Sequence, residues 1–128
     1  MPGQCGEKVG YFNEVKSERI SPEMGRKATI RWLISEKDGA STFSMRLFEI
    51  DAGGKILAHS HPWEHEIFIL SGTVKIRIGS KWYVVREGMF LYIPPNVEHE
   101  YINAGTEQLR FLCIIPNKPT TTKRIVRC

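Results

Sequence analysis

An all-β barrel or sandwich is the fold class this sequence predicts, and three observations carry the prediction. Apolar and polar residues alternate in runs of strand length, most strictly over 73–78, where Val74, Ile76 and Ile78 fall on one side and Lys75 and Arg77 on the other. Turn dipeptides such as Asp38-Gly39, Ser71-Gly72, Gly79-Ser80 and Glu87-Gly88 separate these runs at roughly eight- to twelve-residue intervals. No stretch sustains the period of a long helix.

Taken in order, residues 1–20 mix Gly3, Gly6 and Gly10 with charges and hold no period. Ser21 and Pro22 suit the cap and first position of a single helical turn, which Gly25 ends. Residues 30–34, rich in aromatic and β-branched side chains, read as a first strand. Residues 42–50 read as a second, with Phe43, Met45 and Leu47 on one face and Ser44, Arg46, Phe48 and Ile50 on the other. Asp51 to Gly54 is expected to turn the chain, because glycine supplies the positive φ of tight turns. Residues 67–70, continuously apolar, predict a strand buried on both faces.

The strand over 73–78 returns through Gly79-Ser80 as a hairpin with 81–85. Strands follow at 89–93 and 97–102, split by Pro94, Pro95 and Asn96, and a last clear one at 109–115 is stopped by Pro116. Ile125 and Val126 are a candidate edge strand in an otherwise polar, basic end. The expected organisation is an N-terminal arm or edge strand over 1–28, one barrel over 29–116 and a basic tail over 117–128.

The 128 residues suffice for one domain with a real core and not for two. A formal charge of +4, from 18 basic and 14 acidic residues, is too weak a bias to predict a nucleic-acid partner. Lys118, Lys123, Arg124 and Arg127 read as a solvated tail. Cys5, Cys113 and Cys128 are odd in number and form no C-x-x-C pair, so reduced thiols in the cytoplasm are expected. No run has the length of a membrane span and the first residues do not resemble a signal peptide, so no membrane partner is expected.

The chemistry is concentrated in the histidines. Three of the four, His59, His61 and His65, share seven residues and one parity, and His99 follows on a later strand. Alternate residues of a strand face the same way, so His59 and His61 offer two nitrogens to one side, with His65 and His99 to be brought in by folding. Imidazole suits Zn, Cu, Fe, Ni and Mn, so the donor type does not name the ion. Glu66 is the alternative to His65 as third ligand; neighbouring strand residues face opposite ways, which favours His65.

The stretch from Gly54 through His59, His61, His65 and Glu66 to Gly72 resembles the first cupin motif, with His65 standing where many members carry glutamate. Gly88, Pro94, His99 and Asn103 are similar to the second motif, with Asn96 in place of a glycine, a substitution that suits the left-handed region. Together they cover 54–103. The closer resemblance, carried by Met45 to Phe48, the histidine stretch and Phe111 to Cys113, is to small single-domain microbial cupins that bind manganese through four histidines. It implies a jelly-roll barrel, or double-stranded β-helix, paired as a homodimer. His59, His61, His65 and His99 would hold one divalent transition metal, Mn first, with Fe, Ni, Cu or Zn as alternatives. Arg46, Phe48, Ile56, Phe111, Cys113 and Ile115 would line the pocket for a small-molecule substrate or ligand.

The function expected from these residues is a metal-dependent oxidoreductase, dioxygenase-like, with metal-bound water or dioxygen at its catalytic centre. The alternative is a non-enzymatic small-molecule or metal-binding module, since one fold hosts both. An arginine inside a barrel needs an anionic partner, which makes Arg46 the most informative of the pocket residues.

Overall fold

A computed structural model of the chain describes residues 3–117. Nine strands dominate it: β1 (Glu18–Arg19), β2 (Gly25–Ile34), β3 (Phe43–His59), β4 (His65–Ser71), β5 (Thr73–Ile78), β6 (Lys81–Arg86), β7 (Phe90–Ile93), β8 (His99–Asn103) and β9 (Leu109–Pro116). The only helical elements among the described residues are two 3-10 turns, Phe12–Glu14 and Glu36–Asp38. None is long and apolar enough to cross a membrane. The Ile125–Val126 expectation and the basic tail beyond Asn117 lie outside the described residues.

The fold is a jelly-roll barrel made from one continuous antiparallel sheet in the order β6-β5-β8-β3-β9-β4-β7, with β2 on the other side of β3 and β1 beside β2. Its organiser is β3. Residues 43–50 pair with β9, and Lys55, Ile56 and His59 pair with β8, so one strand ties both halves of the barrel together. The turn expected at Asp51 to Gly54 is therefore not a reversal. The pairing with β2 jumps from Ala28↔Ile50 to Arg26↔Lys55, which makes the segment a bulge inside one long strand. Gly53 does take the positive φ expected of it, +80°, but pairing with β2 on one edge and with β9 then β8 on the other carries the strand onward.

Two other expectations change. The strand expected over 30–34 is β2 and starts at Gly25, directly after a single turn opened by Ser21 and Pro22, in which the Met24 and Gly25 N–H groups donate to the Ser21 carbonyl as expected. The run 67–70 is not buried on both faces: Ile67 and Ile69 are inside, while Phe68 and Leu70 are 45% and 39% exposed. A β4 flanked by β7 and β9 has one face on the core and the other outward, so the outer apolar side chains have no layer above them among the described residues.

The inward faces of β3, β4, β5, β7, β8 and β9 fill the core with Ile50, Ile69, Val74, Ile76, Ile93, Tyr101, Leu109 and Phe111. Phe48, Phe111 and Tyr101 stack across three strands with ring centroids 5.0 and 5.3 Å apart. Asn103 closes the end of β8: Nδ2 donates to the Ile50 and Glu107 carbonyls, and Oδ1 accepts from the Gly105 N–H.

Candidate metal centre

β3 ends at His59, β4 begins at His65 and β8 begins at His99, so three strand termini meet at one end of the barrel. His59 and His99 are direct cross-strand partners with ring centroids 4.4 Å apart. His61 lies in the connection from β3 to β4, stacked on Trp63 at 4.1 Å. The fold thus brings all four histidines together, and each offers a donor nitrogen within 4.8 Å of the others. His65 and His99 are buried; His59 and His61 are half-buried.

The nitrogens turned away from the cluster fix the tautomers. A backbone carbonyl only accepts, so Nδ1–H donates from His59 to Leu57 (2.8 Å), from His61 to Trp63 (3.0 Å) and from His99 to Val97 (2.9 Å). In each ring the proton on Nδ1 leaves a lone pair on Nε2, the form a metal ligand needs. The Nε2 atoms of His61 and His65 are 2.7 Å apart, which requires the proton of that contact to sit on His65. His65 Nδ1 then accepts from Arg46 Nη2 at 3.2 Å.

To use Nε2 as a donor, His65 must move its proton to Nδ1. Cys113 Sγ, 2.9 Å from Nδ1, is the acceptor available there. Burial pushes the Cys113 thiol up, with Arg46 opposing at 2.9 Å. Cys113 is thus placed as the outer partner that orients His65.

The residues fit a divalent cation on two observations. His99 Nε2 is buried with no hydrogen-bond partner, an orphaned lone pair that a cation would satisfy. Three of the donors, His61, His65 and His99, are also held neutral. Burial, aided by Arg46, takes His65 down to about 2, burial takes His99 down to about 4, and burial lowers His61 as well. No proton has to be expelled from these rings at neutral pH before they can act as ligands.

Glu66 is exposed and opposite Tyr92 and Ile114 on the outer face of β4, away from the histidines. Among the other sequence candidates, Arg46, Phe48, Phe111, Cys113 and Ile115 share the barrel interior on β3 and β9. Ile56 is buried in the core opposite Tyr101. Sequence reasoning missed Trp63 and Tyr101: Trp63 stacks on His61, and Tyr101 sets its ring edge-on to His99 at 5.7 Å. The parity of Tyr101 with His99 on one strand was the signal for the second.

The sequence pattern described as "Cupin domain" matches residues 46–115, more than half of the chain and all four histidines. Mannose-1-phosphate guanylyltransferase RfbM of Salmonella typhimurium is 34% identical over 77 residues, 59% of this chain and 16% of that protein. Polyketide synthase CurC of Streptomyces cyaneus is 26% identical over 100 residues, 77% of this chain and 65% of that protein. The chain therefore spans about a sixth of the first relative and just under two thirds of the second. Among solved structures, the polyketide cyclase RemF of Streptomyces resistomycificus superposes with a TM-score of 0.81 at 27% identity, covering 94% of this chain and 87% of that one. With the barrel, the two motifs and the matched pattern in agreement, the chain belongs to the cupin domain family.

Proposed function

We propose that this chain is a metal-dependent enzyme in which a divalent ion held by His59, His61, His65 and His99 activates a small organic molecule bearing oxygen donors. The observation that carries the reading is the donor set: four imidazoles converge and the carboxylate candidate Glu66 faces outward. Neutral ligands leave a divalent ion its full charge, which favours polarisation of a bound carbonyl or enol oxygen. The likeness to a polyketide cyclase supports this Lewis-acid form of the chemistry. Manganese is the proposed native ion.

The dioxygenase-like oxidoreductase expected from the sequence is the second reading, since an all-imidazole site also suits redox metals. One experiment separates the two. Protein loaded with zinc or with manganese is incubated with linear polyketones, with and without dioxygen. Zinc-supported, oxygen-independent conversion supports the Lewis-acid reading. Turnover that needs both manganese and dioxygen transfers the assignment to the oxidoreductase. Metal binding without turnover of any probe supports the non-enzymatic binding module.

A homodimer is proposed as the working assembly. The exposed outer faces of β4 and β7 carry Phe68, Leu70 and Phe90, an apolar surface suited to a second copy. Light scattering that returns a monomer mass would contradict it. The unpaired Cys5 and Cys113 support a reducing cytoplasmic setting.

A further inference from the structure

Three arginines of this barrel, Arg31, Arg77 and Arg110, are paired with carboxylates. Arg31 and Arg110 share Glu49, and Arg77 is held by Glu98 and Glu100. Arg46 is more deeply buried than any of these, 9% exposed, and has no carboxylate among the described residues. Its guanidinium lies between the rings of Phe48 and Trp32, at 4.9 and 5.4 Å, and Nη2 reaches Cys113 and His65. Its Nε is buried without any partner. Two ring faces and a sulfur compensate only part of the cost of burying such a charge.

A cavity of about 610 Å³ is lined by Trp32, the ring that Arg46 covers, and by Ser44 and Ile115, the next inward-facing pair along β3 and β9, so Arg46 lies just behind its wall. Ser44 and Arg46 share the inner face of β3, as Cys113 and Ile115 share that of β9, so Arg46 stands between the cavity and the ligand His65. Val15, Trp32, Ile115 and Pro116 make much of the wall apolar. The charges lining it, Lys16 and Lys37 against Glu18 and Glu36, cancel, which leaves Arg46 to select the ligand's charge.

We propose that this cavity binds a small organic carboxylate, with the carboxylate anchored by Arg46 and the apolar body lying against Trp32 and Ile115. A planar carboxylate supplies the acceptors that match a guanidinium fork. The inference deepens the proposed function, resting on that reading only in calling the carboxylate part of a substrate. Arg46 positions the molecule beside the histidine cluster and carries out no chemistry itself.

The test is calorimetry with benzoate and its neutral isostere benzamide, on metal-free protein and on zinc-loaded protein. Wild-type protein is expected to prefer benzoate at least about tenfold in both forms, as a charge-assisted hydrogen-bonded pair should. Arg46→Met is expected to bring that ratio to about one, with a melting temperature no lower than wild type, because it removes an unmatched buried charge. Trp32→Ala is expected to weaken both probes alike. If Arg46→Met does not fold, Arg46→Lys serves, with the preference reduced but retained. Equal binding of the two probes, or a preference that survives in Arg46→Met, overturns the proposal. Benzoate binding only after zinc loading would place the anion on the metal and also overturns it. A failure of metal binding itself, measured in the same titrations with zinc alone, would reject the metal reading and leave the Arg46 result standing.

Discussion

The backbone N–H of Asn96 donates to the carbonyl of His61 at 2.8 Å, so the loop after β7 is tied directly to the histidine stretch. The bond joins the two halves of the sequence signature. Asn96 makes it from the left-handed region, φ +67°, where a β-branched side chain is strained. Asn96→Gly should therefore keep stability and metal affinity, and Asn96→Val should lose about 1–2 kcal/mol in urea denaturation. The valine variant should also bind metal more weakly, since the loop that fixes His61 is the one disturbed.

Replacing any one of the four histidines removes a donor, not a support. His99→Ala should weaken metal binding by more than the roughly 10–100-fold that loss of an outer partner costs. Cys113→Ala should fall within that smaller range, because Cys113 meets His65 at its far nitrogen and none of the other histidines. Competition titration with a chromophoric chelator measures both.

Glu66→Gln should leave metal affinity unchanged within about twofold, as surface substitutions do. Its carboxylate lies on the outer face of β4. The same titration checks this, and a large loss would return Glu66 to the ligand set.

Metal-free protein should lose stability as the pH falls. The unfolded chain takes up protons at its histidines near 6.5, whereas folded His99 refuses until about 4 and His65 until about 2. Below 6.5 the unfolded state binds more protons, so the stability present above 6.5 is progressively lost. Each group contributes about 1.4 kcal/mol per pH unit at most, with the share of His99 levelling off below its folded value. Urea denaturation at pH 7 and pH 5 should differ by on the order of 2–4 kcal/mol, and His99→Phe should reduce that difference.

Asn103→Ala should cost about 2–3 kcal/mol, because it leaves the buried Ile50 carbonyl without its donor. Metal affinity should hold, since Asn103 touches none of the histidines' hydrogen-bond partners.

The strand over 73–78 was legible because alternation reports burial directly, 81–85 because Gly79-Ser80 marks a hairpin and 109–115 as an apolar run that Pro116 stops, and β5, β6 and β9 occupy those positions. The four histidines were legible because strand parity survives folding. Three features were hidden for physical reasons. Gly53 and Gly54 mark a bulge as readily as a turn, and only the partners on both edges of β3 decide which. The run at 67–70 is apolar outside as well as inside, which periodicity cannot distinguish from double burial. The isolation of Arg46 is a property of what surrounds it in space, and Trp32 and Cys113 are far from it in sequence.

The central claim is that the four converging histidines hold a divalent metal, and titration of metal-free wild-type protein with manganese and zinc tests it most directly. One ion per chain is expected, with loss of that ion in His99→Ala. Wild-type protein that binds neither ion, or that binds one unchanged in His99→Ala, would contradict it.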